Sequence, residues 1–214
     1  NVIKKRVDYW IPGLDVRQDN RDNVCLTHIL SLAALNGLQV TLVPDFIEAI
    51  ADANPHNPVS EWIDSIPWDG FDRIPEFCDT LITREEYPKT FRDLLIRKWL
   101  LSAAAALSVS NFRTRGVLTL QGGQNVGKTA WVRALVPDQV LGDSVVKVDH
   151  HMDGNNKDSQ LGAITHWIVE IGELDSSFKK DVARLKGFLT ASADKVRRPY
   201  AKAESEYQRR TVFC

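Results

Sequence analysis

The sequence predicts an α/β P-loop core built on a parallel sheet, preceded by an all-α N-terminal region. Three observations carry that expectation. Residues 122–129 read Gly-Gly-Gln-Asn-Val-Gly-Lys-Thr, a match to G-x-x-x-x-G-K-[ST]. A short β-rich run precedes that loop and a helical pattern follows it, which is the order of an α/β unit. From residue 24 to about 110 the apolar spacing is helical, whereas beyond it short apolar runs alternate with helical ones. The expected division is a mostly helical region over 1–112 and a P-loop core over 113–214.

Each element follows from its own pattern. Residues 1–24 are polar and irregular, with a turn at Pro12-Gly13. Over 24–37 the recurrence of Leu26, Ile29, Leu30, Leu32, Ala33 and Leu35 predicts one buried helix closed by Gly37. Residues 44–53 predict a second helix, with Phe46, Ile47 and Ile50 on one face and Pro44 in the first turn. The run Asn54-Pro55-His56-Asn57-Pro58 breaks it. Ser60 is placed to cap a short helix that turns Trp62, Ile63 and Ile66 inward. Trp68-Asp69-Gly70 reads as a turn before the apolar segment 74–82, and Thr90 opens a long helix to about Ser108.

After Arg115-Gly116 the run Val117-Leu118-Thr119-Leu120-Gln121 predicts a strand, and 129–135 a helix. Trp167-Ile168-Val169-Glu170-Ile171 predicts a second buried strand, 178–191 a helix and 210–214 a third strand. Strands alternating with helices imply parallel pairing.

Bulk properties exclude several classes. With 214 residues the chain buries a sizeable core and has room for one or two domains. Its net charge of −1 means that any nucleic-acid surface must come from local clustering of Lys and Arg. Cys25, Cys78 and Cys214 are scattered and odd in number, which fits neither a disulfide framework nor a zinc knuckle. A reduced cytoplasm is the expected compartment. No signal peptide opens the chain, and Arg97 and Lys98 interrupt the longest apolar stretch, so no membrane partner is expected. A start at Asn1 without Met and an apolar run up to Cys214 read as a piece of a longer protein.

The chemistry centres on the glycine loop. Gly122, Gly123 and Gly127 open backbone conformations closed to other residues, so the N–H groups of 122–129, including those of Gln124, Asn125 and Val126, are free to face a phosphate. The following helix adds its positive end. Lys128 is expected to reach the β and γ phosphates of ATP, and the Thr129 hydroxyl to bind Mg2+. Such a loop needs an acidic partner on a neighbouring strand. Glu170 ends the second predicted strand and Glu173 lies three residues on. Glu170 is assigned to the metal side and Glu173 to the attacking water, with the roles exchangeable and a solvated loop acid the alternative for Glu173. Asp175 is expected to cap the next helix.

Residues 179–210 are locally basic, with Tyr200 and Tyr207 interleaved, a composition that suits single-stranded nucleic acid as well as it suits a solvated, charge-mixed face. His150-His151 with Asp149 and Asp153 reads as a polar loop, because adjacent histidines point apart. Trp10, Trp62, Trp68, Trp99, Trp131 and Trp167 are expected in packing.

Together, 122–129, 167–174, Leu185-Lys186-Gly187-Phe188-Leu189-Thr190, Arg197-Arg198-Pro199-Tyr200 and Arg209-Arg210-Thr211-Val212-Phe213 resemble the virulence-associated E proteins. These are P-loop proteins of phages and genomic islands related to superfamily 3 helicases. Asn57-Pro58-Val59 followed by Trp68-Asp69-Gly70 and Arg73 resembles the segment ahead of that family's core, so the likeness covers about 55–214. The resemblance implies an AAA+-like ATPase, a homo-oligomer working as a ring on single-stranded DNA or a DNA fork, often behind a primase module. It also implies a DNA-facing hairpin after the second acidic motif, with Lys186, Lys195, Arg197, Arg198, Tyr200 and Lys202 as the matching contacts. The family's strand after Arg209-Arg210 ends in a polar sensor, usually Asn, which lies beyond Cys214, so weak hydrolysis is expected of these 214 residues alone.

Two other classes compete. A P-loop GTPase needs N-K-x-D, which Asn156-Lys157-Asp158-Ser159 fails at its last position, while a small-molecule kinase would use 197–210 as an Arg-rich lid. A nucleotide-gated interaction module of phage biology or defence would keep Lys128 and Thr129 without turnover.

Overall fold

The described chain is helical up to Val145 and then alternates strands with helices. The computed structural model describes residues 1–15, 20–153, 156–172, 182–196 and 204–214, and these divide into two units, 1–57 and 58–214.

The first unit holds α1 (Arg21–Leu35) and α2 (Val43–Ala53), joined through a 3-10 turn at Val40–Leu42. Gly37 closes α1 at a φ of 71°. Its N–H reaches Ala34 O and that of Leu38 reaches Ala33 O, the double bond pattern that absorbs a helix's last carbonyls. Pro44 sits in the first turn of α2, where a missing N–H leaves nothing unpaired. The expectation of a buried α1 is corrected: only Cys25 and Ala33 are buried along it, and Leu35 is 79% exposed. Phe46 and Ile50 of α2 are exposed as well. Helical periodicity survives in both elements, but two short helices offer each other too little surface to cover every apolar position.

The second unit contains α3 (Pro58–Asp64), α4 (Ile74–Asp79), α5 (Lys89–Ser108), α6 (Lys128–Arg133), α7 (Gln139–Val145), α8 (Lys157–Ile164) and α9 (Val182–Leu189). Pro58 and not Ser60 opens α3, and Ile63 and Ile66 are exposed rather than inward. Strands β1 (Val146–His150), β2 (Ile168–Ile171) and β5 (Val212–Phe213) pair in parallel in the order β1-β2-β5. Residues 117–121 have no regular strand pairing, yet Leu118 N–H donates to Phe213 O and lays that segment beside β5. Strands β3 (Ala193–Val196) and β4 (Ser205–Gln208) form an antiparallel hairpin.

The helix α5 is the floor of the sheet. Ile96, Trp99, Ala103, Ala106 and Leu107 are its buried face. Two indole N–H groups tie it to the strands: Trp99 donates to Phe213 O at 2.9 Å, and Trp167 donates to Ala103 O at 2.9 Å. Arg210 adds its guanidinium to the Leu107 and Ala106 carbonyls, filling acceptors left over at the end of α5. On the other side of the strands Met152, Ala163, Val169, Leu185 and Phe213 make one apolar cluster.

Trp99 and Trp167 are packed as expected, but Trp10 and Trp68 are each 79% exposed. Trp68 instead donates to Phe71 O across its own turn, where Asp69 also holds Arg73. The expectation of a polar loop at His150 is corrected too, since His150 ends β1 and is buried. Among the described residues no helix is long and apolar enough to cross a membrane.

Candidate functional site

The glycine loop owes its shape to two left-handed residues. Asn125 has a φ of 62° and Gly127 a φ of 90°. Asn tolerates this region through its short polar side chain, and Gly occupies it without steric cost. Gly127 is also the residue before α6, and its carbonyl accepts the N–H of Trp131 at 2.8 Å. The loop curls around the ammonium of Lys128, which donates to Gly122 O at 3.0 Å and Gly123 O at 2.7 Å. Residues 121–127 are all exposed, so the outer surface of the loop is open to a ligand.

One turn of sequence later the chain crosses to the sheet. Thr129 Oγ1 donates to Glu170 Oε1 at 2.8 Å, joining residues 41 positions apart. Asp149 N–H donates to the other carboxylate oxygen, Glu170 Oε2, at 3.2 Å. Glu170 belongs to β2, and parallel pairing with β1 sets Asp149 beside it. Asp149 is at a φ of 50°, and a Cβ on Gly172 would meet Asp149 Oδ1 at 2.4 Å. Gly172 is therefore a packing requirement of the site as well as the end of a strand. Cys214 follows the third strand, and its thiol pKa is pushed up to about 12 by burial and then by the charge of Glu170. It stays a neutral thiol at neutral pH.

The structure thus brings Lys128, Thr129 and Glu170 together. Glu173, Arg197, Arg198, Tyr200 and Lys202 lie outside the described residues, as does Asp175. Lys186 is exposed on α9 and Lys195 is exposed on β3. Lys195 pairs with Glu206 across the hairpin at 3.6 Å. Two cations of the basic stretch turn inward. Arg210 grips the end of α5, and Arg209 is fully buried against Asp194, with bonds of 2.6 and 2.5 Å from Nε and Nη2. The Arg209 guanidinium also lies over the Phe188 ring, 4.4 Å from its centroid.

Periodicity did not single out three contributors. Asp149 steadies Glu170 through its backbone, which leaves no trace in residue type. Arg92 is buried on α5 and binds Asp79, Asp93 and Leu81 O. Trp131 of α6 donates to Thr80 Oγ1 at 2.8 Å and stacks near Phe77, with 5.3 Å between centroids. A buried Arg one turn into an apolar helix was the available signal for the second of these.

A model of the virulence-associated protein E-like domain matches residues 63–214, most of the chain. The chain belongs to that family. Its family domain thus takes in α4 to α9, all five strands and every side chain of the site just described. No curated protein matches the chain.

Proposed function

We propose that this virulence-associated protein E-like chain binds and hydrolyses ATP with Mg2+ on an AAA+-like P-loop core. The observation that carries the reading is the bond from Thr129 Oγ1 to Glu170 Oε1, 2.8 Å long, beside the glycine loop. A hydroxyl and a carboxylate are hard oxygen donors of the kind Mg2+ takes, and two protein oxygens suffice when the phosphates supply others. The donor set of Thr129 and Glu170 fits a metal that arrives with its nucleotide. When bound, the metal would neutralise charge on the β and γ oxygens.

The chain's own residues do the rest. Lys128, now turned to the Gly122 and Gly123 carbonyls, gains stronger charge-assisted bonds when it swings to a polyphosphate. Thr129 and Glu170 would hold the metal, and Asp149 N–H keeps the Glu170 carboxylate in orientation. Glu173, close behind in sequence, takes the water-activating role. The larger assignment is a superfamily 3-like DNA helicase or replication-initiation motor of a phage or mobile element, acting as a homo-oligomer. The antiparallel hairpin β3-β4, with exposed Lys195, and exposed Lys186 support a contact with single-stranded DNA or a fork.

Calorimetric titration with ATP and Mg2+, followed by turnover with and without single-stranded DNA, tests this reading. Lys128→Ala removes binding, Glu170→Gln weakens the Mg2+ dependence of binding, and Glu173→Gln keeps binding while turnover drops by about 100-fold or more. DNA raises the rate of the intact protein. ATP binding undiminished in Lys128→Ala overturns the proposal, and tight binding without turnover in the intact protein turns it toward a nucleotide-gated interaction module.

A further inference from the structure

A cavity of about 750 Å³ opens directly beside the glycine loop. Its volume lies within the range of sites that enclose a whole small molecule. Gly127 and Lys128 line it from the loop, and Ile82, Tyr87, Leu95 and Ile96 line it from segment 80–87 and α5, with Arg84, Glu86 and Arg92 as the charged members of the same wall. Three of the apolar and aromatic members are left open to solvent: Ile82 is 94% exposed, Leu95 36% and Tyr87 38%. A cavity that joins the loop's ammonium to apolar and aromatic side chains, with polar groups between them, can take a nucleotide whose phosphates lie on the loop and whose flat base lies against the apolar members.

We infer that this cavity is the nucleoside site of the chain: segment 80–87 and the first turns of α5 receive the base and ribose of the nucleotide whose phosphates lie on residues 122–129. The inference rests on the phosphate-binding reading of that loop and adds the determinant of nucleotide over bare polyphosphate. The wall is built to hold its position. Buried Arg92 donates to Leu81 O at 2.9 Å and Asp79 Oδ1 at 2.6 Å, fixing the start of the segment to α5. Trp131 Nε1 donates to Thr80 Oγ1 at 2.8 Å, fixing the same segment to the helix that follows the loop. Arg92 and Trp131 are positioning residues: they keep the base wall and the phosphate loop at a constant separation, which a rigid ligand requires.

The test compares ATP with inorganic tripolyphosphate, each titrated with Mg2+ against the full chain and three variants. Leu95→Trp fills the cavity from a half-open position, and Ile82→Ser strips an apolar wall at a site too exposed to disturb folding. The unaltered chain is expected to bind ATP about tenfold or more tightly than tripolyphosphate, since only ATP reaches the apolar walls. Leu95→Trp brings ATP down to the tripolyphosphate affinity, Ile82→Ser weakens ATP by about two- to fivefold, and tripolyphosphate affinity is unchanged in both. Equal affinities for the two ligands in the unaltered chain, or Ile82→Ser with no preferential effect on ATP, overturn the inference. Lys128→Ala separates the two readings. If it spares both ligands, the phosphate loop fails. If it weakens both while Leu95→Trp and Ile82→Ser leave ATP untouched, the loop stands and the nucleoside site fails.

Discussion

Lys128 and Thr129 are neighbours in sequence, yet they point to different parts of the site. The lysine turns back to the carbonyls of its own loop, while the threonine reaches a carboxylate on the sheet. Their division of labour follows from helix geometry, since successive residues on a helix project about 100° apart. His150 shows the same dependence on surroundings. Its ring is buried at the end of β1, with Nε2 3.0 Å from Ser159 O. Burial pushes its pKa down, with Lys147 and His151 adding to the effect and the Ser159 bond opposing it. The folded state therefore prefers the neutral ring, whereas the unfolded chain takes up a proton below about pH 6.5. The unfolded state binds more protons in that window, so this contribution to stability is full above the unfolded value and is lost as pH falls below it. Urea unfolding at about pH 7.5 and about pH 5.5 should show a loss that shrinks in His150→Gln, which has no proton to gain. An undiminished loss in the variant would assign the pH dependence elsewhere.

At the scale of elements, the hairpin β3-β4 is anchored by one buried ion pair. Arg209 and Asp194 are 0% and 8% exposed, and they join the residue after β4 to the middle of β3. The Arg209 backbone adds a second tie, with its N–H donating to Ser192 O at 2.9 Å. Among the described residues Arg209 Nη1 is buried and meets no hydrogen-bond partner. Removing one member leaves a bare charge inside. Asp194→Ala is expected to cost about 3–5 kcal/mol in chemical denaturation, because the buried guanidinium is stranded. A loss below about 1 kcal/mol would mean that water reaches Arg209 in solution. The inward turn of Arg209 was not legible from a basic stretch, since a run of like residues does not reveal which of them meets an acid fifteen positions away. The course of β5 was legible from its apolar composition, but its place between β2 and segment 117–121 was not, because only pairing decides neighbours in a parallel sheet.

At the scale of the molecule, the contacts divide the chain at residue 57. Every residue of the loop, the acidic partner and the cavity belongs to the unit 58–214. A chain beginning at Pro58 is therefore expected to unfold cooperatively and to bind ATP within about twofold of the whole protein. Loss of the thermal transition in that shortened chain would show that residues 1–57 are part of the folding unit.

The sequence alone determined the glycine loop, since glycine's access to positive φ is a local property, and the helical character of 21–108, since periodicity is written residue by residue. It also placed Glu170 at the end of a strand next to the loop's chemistry. Only the tertiary structure decided that Glu170 meets Thr129, that Asp149 steadies it, that Arg209 is buried and that Trp68 is not. Those outcomes depend on which surfaces are left to cover one another once the elements have formed, and burial is a property of the assembled surfaces rather than of any one residue's type.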